Sequence, residues 1–177
     1  MFDAFMYCKG ASGIFKGETQ DEEMKKHEAV EIISFDFGVE NTINIGSISG
    51  GGGAGKATFK EFNVTKKTDT ASTDLFKACC SGSHFDDVYL VLRRAAGVAG
   101  DGGSGANFIE FHFKLVMVQD INWSGSDGDD VCEETVILQY GAIQVDYFPQ
   151  LATGHMDRAN KKSAKWSRVK NRAELSV

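Results

Sequence analysis

In the run Phe108-Ile109-Glu110-Phe111-His112-Phe113-Lys114-Leu115-Val116-Met117-Val118, apolar and polar residues alternate strictly from Ile109 to Leu115. Ile109, Phe111, Phe113, Leu115 and Met117 fall on one side, and Glu110, His112 and Lys114 on the other. A period of two is that of a strand with one face in a core and one face wet. A helix would scatter both sets around its circumference. The wetter face of such a strand can line a channel as well as an outer surface. Runs of the same character occupy Phe2–Lys9, Ala29–Val39, Ala57–Thr68, Asp87–Ala95 and Glu134–Phe148. Strands in this number, separated by Gly, Ser and Asp, predict a mainly β protein, an antiparallel sandwich or barrel. Pro149, the single proline, closes the last long strand, where its missing N–H does least harm.

One segment breaks the pattern. Ser72–Gly82 reads as a short helix, with Ser72 as N-cap, Asp74 in the first turn and Gly82 as the stop. Leu75, Phe76, Cys79 and Cys80 form its expected apolar stripe, laid on the sheets as a structural lid. Three loops stand out, at about 40–56, 96–106 and 122–131. In the first, Ile43, Ile45 and Ile48 alternate with small and polar residues, predicting an extended arm. An exposed isoleucine arm is an aggregation hazard in a lone subunit, so it calls for a docking surface; a self-contained hairpin is the alternative.

That arm runs into Gly50-Gly51-Gly52-Gly53-Ala54-Gly55-Lys56, which imitates a phosphate-binding loop. A P-loop needs a hydroxyl after the lysine and a helix behind it. Here Ala57 follows Lys56, and Ala57–Thr65 is β-branched and aromatic. With no helix N-terminus, neither the amide cradle nor the dipole is there to hold a phosphate. The tract reads instead as a backbone-exposing loop suited to assembly, with glycine letting other backbones approach closely.

At 177 residues the chain is most simply one domain with a sizeable core. The N-terminus, Met1–Met6, lacks a basic region followed by an apolar stretch, which predicts cytosolic folding and, if the protein is secreted, export without a cleaved signal peptide. No apolar run reaches the length of a membrane span. Cys8, Cys79, Cys80 and Cys132 show no zinc spacing and read as reduced thiols, mostly in the core. The net charge is −6, unevenly spread: residues 151–177 carry +5 and the rest −11. A basic tail on an acidic body points to nucleic acid, a membrane surface or the acidic face of another copy, or is simply solvated.

The chemistry of an enzyme is missing from the sequence. His27, His84, His112 and His155 lie far apart, without metal-ligand spacing. Asp127, Asp129 and Asp130 sit in an acidic turn whose twelfth position, Leu138, cannot close a calcium loop. No Gly-x-Ser-x-Gly elbow is present. No catalytic residue, metal or cofactor is expected.

In order along the chain, several motifs resemble one family. These are Phe2–Met6 with Lys16-Gly17-Glu18-Thr19, the strand Glu31–Val39 ending in Phe35-Asp36-Phe37-Gly38, and the tract Gly50–Lys56. Leu75–His84, Arg93-Arg94-Ala95 and Val145-Asp146-Tyr147-Phe148-Pro149-Gln150 continue the series. Together they resemble the haemolysin-coregulated proteins, the tail-tube subunits of bacterial type VI secretion, across most of residues 1–150. The chain departs at an insert around Lys9–Ile14, at an enlarged loop Ala99–Gly105 and in its more basic tail, where Lys165-Trp166-Ser167-Arg168-Val169 resembles a terminal tryptophan-bearing strand.

The resemblance implies a small antiparallel β-barrel of two sheets with one short flanking α-helix and a long extended loop. Residues 1–150 would form the barrel domain, and the basic segment 151–177 would complete or flank it. It implies a homo-hexameric ring, stacked into a tube that a contractile sheath propels behind a spike protein, with effectors in the lumen. Ring and tube assembly is then assigned to Ile43, Ile45, Ile48, Gly50, Gly51, Gly52, Gly53, Gly55 and Lys56. Candidate lumen or effector contacts are Asn122, Trp123, Ser124 and Ser126, alongside the polar faces Glu110/His112/Lys114 and Gln139/Gln144/Asp146. Two rival readings are a nucleotide binder using Gly50–Lys56 and a nucleic-acid module on the basic tail, the latter disfavoured by the acidic body.

Overall fold

In the computed structural model, which describes residues 2–44, 53–94 and 105–177, ten strands and one α-helix follow one another. The strands are β1 (Phe2–Lys9), β2 (Val30–Ile32), β3 (Ser34–Asp36), β4 (Val39–Asn44), β5 (Gly53–Phe59) and β6 (Phe62–Lys67), then β7 (His84–Arg94), β8 (Ala106–Ser124), β9 (Glu133–Tyr147) and β10 (Lys162–Ser167). The helix α1 (Ala71–Ser81) lies between β6 and β7. The main sheet runs β2-β1-β7-β8-β9-β6-β3, with β10 added to the distal half of β9, and β4-β5 form a separate two-stranded sheet. Every pairing is antiparallel. This is the mainly β, nearly closed barrel with one short helix that the sequence predicts.

The expected single strand Ala29–Val39 is broken in two, and the break closes the barrel. Val30–Ile32 pairs with β1 at one edge of the sheet, and Ser34–Asp36 pairs with β6 at the other. Between them the Ile33 N–H donates to the Thr65 carbonyl at 2.8 Å. The expected strand Ala57–Thr68 is likewise split at Lys60-Glu61.

The core is formed by inward residues of β1, β6, β7, β8 and β9, with Phe62, Phe113, Leu90, Leu138 and Met6 fully enclosed. Phe62 and Phe113 stack at 4.5 Å, and Phe37 meets Phe111 edge-on at 4.8 Å. A smaller cluster, Phe5, Tyr7, Met24, Ala29 and Val91, covers the other face of β1 and β7.

The alternation of β8 holds only to Phe113. Phe111 and Phe113 are buried, but the next buried residues are Val116 and Val118, and Met117 is exposed. Leu115 is the cause: its φ of 52° is left-handed, which reverses the phase of the strand. Gly141 on β9 accommodates the reversal, since a Cβ there would sit 3.3 Å from Leu115 and 2.7 Å from Val177. In β9 the inward set correspondingly passes from Leu138 and Tyr140 to Ile143 and Val145.

The helix also differs in phase from expectation. Ala71, Ser72, Leu75 and Ala78 face inward, whereas Phe76 and Cys80 are exposed. Ser72 is not the cap. It lies inside α1, and the Asp69 carboxylate accepts the Ala71 N–H at 2.9 Å. The small Ala71 and Ala78 let the helix approach β8, a contact that Phe76 on that face would hold off. Gly82 ends the helix in the left-handed region, as expected. The cysteines are unbridged, but the reading of them as mostly core is incorrect: Cys8 and Cys79 are half-buried, and Cys80 and Cys132 are exposed.

Candidate assembly site

The projecting hairpin β4-β5 is the most distinctive surface feature. Val39 pairs with Phe59, Asn41 with Ala57 and Ile43 with Ala54, with a bulge between Asn41 and Ile43. Gly55 lies in that bulge, where a Cβ would stand 2.8 Å from the Thr42 carbonyl oxygen. A side chain there would push the two strands apart, so glycine is required by close approach. Val39 and Ile43 are 58% and 64% exposed. Two β-branched apolar residues on a two-stranded ribbon whose outer edges are unpaired among the described residues make a surface suited to strand pairing.

The residues assigned to assembly are therefore placed as follows. Ile43, Gly53, Gly55 and Lys56 belong to the paired ribbon, so the reading of Gly53–Lys56 as an open loop is corrected to a strand. Ile45, Ile48, Gly50, Gly51 and Gly52 lie outside the described residues. Lys56 is exposed, and β5 continues to Phe59 with no helix after it. The helix N-terminus and dipole that a phosphate loop needs do not follow Lys56, which lies within β5.

Asn122, Trp123 and Ser124 are not loop residues. They end β8, opposite Thr135, Glu134 and Glu133, and only Ser126 lies in the turn that follows. The Trp123 ring tilts against Phe76 at 5.8 Å, and its indole N–H donates to Glu134 Oε2 at 2.7 Å. Its polar end is thus committed within the chain.

Glu134 leads into a buried polar cluster that sequence reasoning missed. Lys66 and Glu134 have no exposed side-chain surface and meet at 2.6 Å. Lys66 Nζ also contacts Asp69 at 2.8 Å, Ser72 Oγ at 3.1 Å and its neighbour's carbonyl at 2.8 Å. Ser72 and Thr68 hydroxyls donate to the two Glu134 oxygens. With every partner in place, the pair joins β6, β9 and the start of α1. The only signal in the sequence was parity, because Lys66 and Glu134 occupy inward positions of alternating strands.

The expected polar face of β8 is real but partly roofed. One row crosses the sheet through Tyr7, Tyr89, His112, Gln144 and Lys165. His27 stacks on Tyr7 at 4.4 Å, Tyr7 on Tyr89 at 5.0 Å and Tyr89 on His112 at 4.2 Å. Burial, then the charge of Glu110, pushes the Tyr7 phenol well above its ordinary range. Burial, then Lys9, depresses His27. His112 Nε2 lies 2.5 Å from Asp87 and Lys114 Nζ 3.0 Å from it. Burial pushes the Asp87 carboxyl up, but these two partners pull it below the usual carboxylate range. The insert at Lys9–Ile14 is tied to the same strand, with Asp86 accepting the Ala11 and Ser12 N–H groups at 2.9 and 3.0 Å. Among the described residues no three His, Cys, Asp or Glu side chains converge as metal ligands.

The structure is thus a nearly closed barrel with an exposed apolar ribbon and a buried Lys66–Glu134 network. Comparison with known proteins gives the family. The family described as "Type VI secretion system effector, Hcp" matches residues 5–147, and the chain belongs to it. "Protein hcp1" of Pseudomonas aeruginosa is 33% identical over 102 residues, 58% of this chain and 60% of that protein. The chain therefore spans about 60% of the length of that curated relative in the match. A solved structure titled "Structure of a type six secretion system protein" superposes with a TM-score of 0.81 at 27% identity, covering 97% of this chain and 99% of the other. Hcp1 from Salmonella typhimurium superposes at 0.70 and 24% identity, covering 96% and 97%, a likeness of fold. The family is that of the type VI secretion Hcp proteins.

Proposed function

We propose that this chain forms homo-hexameric rings that stack into the tail tube of a type VI secretion system. The supporting observation is the β4-β5 ribbon, which presents Val39 and Ile43 to solvent on a barrel otherwise closed upon itself. A ring requires a head-to-tail interface whose rotation closes. Backbone edges with apolar side chains supply such a contact without demanding much of the sequence. The sheath, the spike and effectors are the proposed partners, with assembly in the cytoplasm and the tube then delivered outside the cell. Asn122, Ser124 and Ser126, exposed and short at the end of β8, are proposed to meet effector cargo, with Trp123 as their fixed apolar neighbour.

Electron microscopy and light scattering of the purified protein test the reading. Six-membered rings are expected, and a monomer at tens of micromolar, on the order of ordinary assembly conditions, would overturn it. Deleting Ile43–Gly53 should leave the barrel folded and remove the rings. A bulky residue at Ser124 or Ser126 should leave rings intact and reduce retention of a co-expressed effector.

A further inference from the structure

Two surface hollows on different sides of the barrel carry opposite charge beside apolar residues. The first is a groove of about 610 Å³ between the β4-β5 ribbon and β10. Its lining includes the apolar Phe59, Tyr140, Val145 and Trp166 and the cations Lys56 and Lys165. It continues over Tyr140 to Arg168, whose guanidinium lies 4.9 Å from the Tyr140 ring. Among the described residues no carboxylate lines either part, and neither Lys56 nor Lys165 has an ion-pair partner.

The second hollow, of about 560 Å³, lies where β1 meets the segment of β2 and β3 that closes the barrel. Phe2 and Ile33, 51% and 53% exposed, are the most exposed of its apolar lining residues. Asp3, Asp21 and Glu31 line it, with no cation among the described residues of its lining. Asp21 is already engaged by Arg93 at 2.7 Å. Asp3 and Glu31 remain as carboxylates without an ion-pair partner among the described residues, although Glu31 accepts the Thr19 hydroxyl. In the sheet β1 is separated from β9, which lines the first groove, by β7 and β8.

We infer that the contact between neighbouring copies in the ring seats the basic groove of one subunit, lined by Lys56 and Lys165, on the acidic hollow of the next, lined by Asp3 and Glu31. The inference rests on the ring reading above and names the surfaces that carry it. Three features commit the groove to a second copy. Both hollows combine apolar and charged lining residues, as protein–protein contacts do. Lys56 and Lys165 on one side and Asp3 and Glu31 on the other are opposite in charge and without an ion-pair partner among the described residues, so apposition neutralises both and like-to-like docking is repelled. The two patches are different, which makes the contact head-to-tail, the type that generates rings. The same arrangement answers the uneven charge of the sequence, since part of the basic C-terminal segment then faces the acidic body of a neighbour.

Charge reversal provides a test with an internal rescue. In Lys56→Glu/Lys165→Glu both patches are acidic, and in Asp3→Lys/Glu31→Lys both are basic. Each variant alone should lose the hexamer in light scattering while keeping its circular-dichroism spectrum and melting behaviour as a monomer. Mixed in equal amounts, they should recover hexamers, because in an alternating ring every groove meets a patch of opposite sign. A chain with all four changes should form rings by itself. Raising salt to 1 M, where charges are screened within about 3 Å, should partly restore each separate variant. If Glu31→Lys disturbs folding through its Thr19 contact, Asp3→Lys alone replaces the second variant. Rings that persist in both variants, or variants that lose rings and are not rescued by mixing, overturn the pairing. A wild-type monomer overturns the ring reading itself.

Discussion

Lys66→Met keeps most of a buried side chain's volume and removes the cation that Glu134 and Asp69 share. Both carboxylates then lie together without a counter-charge, and Glu134 keeps only the Ser72, Thr68 and Trp123 donors. Removing one partner of a buried ion pair costs about 3–5 kcal/mol. With a urea dependence of about 2 kcal/mol per molar, the unfolding midpoint should fall by roughly 1.5–2.5 M. The assay is urea unfolding followed by tryptophan fluorescence, at one protein concentration because assembly adds to apparent stability. A second variant, Lys66→Met/Glu134→Leu, removes the uncompensated charge as well. It should be destabilised by at least about 1 kcal/mol less than the sum of the single changes, since groups in one network couple by roughly 0.5–3 kcal/mol. A fall below about 0.5 M for Lys66→Met, or strict additivity in the pair, would refute the claim that this cluster fastens α1 to the barrel.

Gly55→Val should abolish rings with little change in the barrel's melting temperature, as scattering and calorimetry would show, because its Cβ meets the Thr42 carbonyl only within the ribbon. Asp87→Asn bears on acid stability. The folded carboxyl lies below its unfolded value, so its contribution is present above about pH 4 and disappears as pH falls through the folded value. The variant should be less stable at neutral pH and show a shallower acid limb, and parallel acid limbs would contradict the assignment. Lys56→Ala should leave ATP without effect on melting temperature, as it is in the parent; an ATP shift that vanished in the variant would restore the phosphate-loop reading.

Strand type was legible because period-two patterning is a local property: β1, β7 and β9 fall within a few residues of their expected limits. Family membership was legible from the order of motifs, of which Gly50–Lys56 alone would have misled. The phase of β8 beyond Phe113 was not legible, since nothing about Leu115 announces a left-handed backbone; that conformation depends on a glycine opposite, across the sheet. The break at Ile33 escaped for a similar reason. Its cause is the Thr65 carbonyl on a strand more than thirty residues away. The helix stripe was misplaced because apolarity alone favoured Phe76, while the close approach to β8 selected alanine. The placement of Trp123 depended on Glu134, and a partner in a neighbouring strand leaves no mark near the tryptophan.

The segment Val30–Asp36 has a mechanical consequence. It joins the two margins of the main sheet with three residue pairs on each side, whereas β8 and β9 are held along almost their whole length. Load placed on the barrel wall concentrates on that short clasp. When it parts, β1 and β6 become open edges while the β7-β8-β9 panel remains intact. The barrel is thus a stiff panel with one weak seam. Amide exchange should reach Val30–Asp36 before the centre of that panel, because local opening begins where the fewest backbone bonds must break.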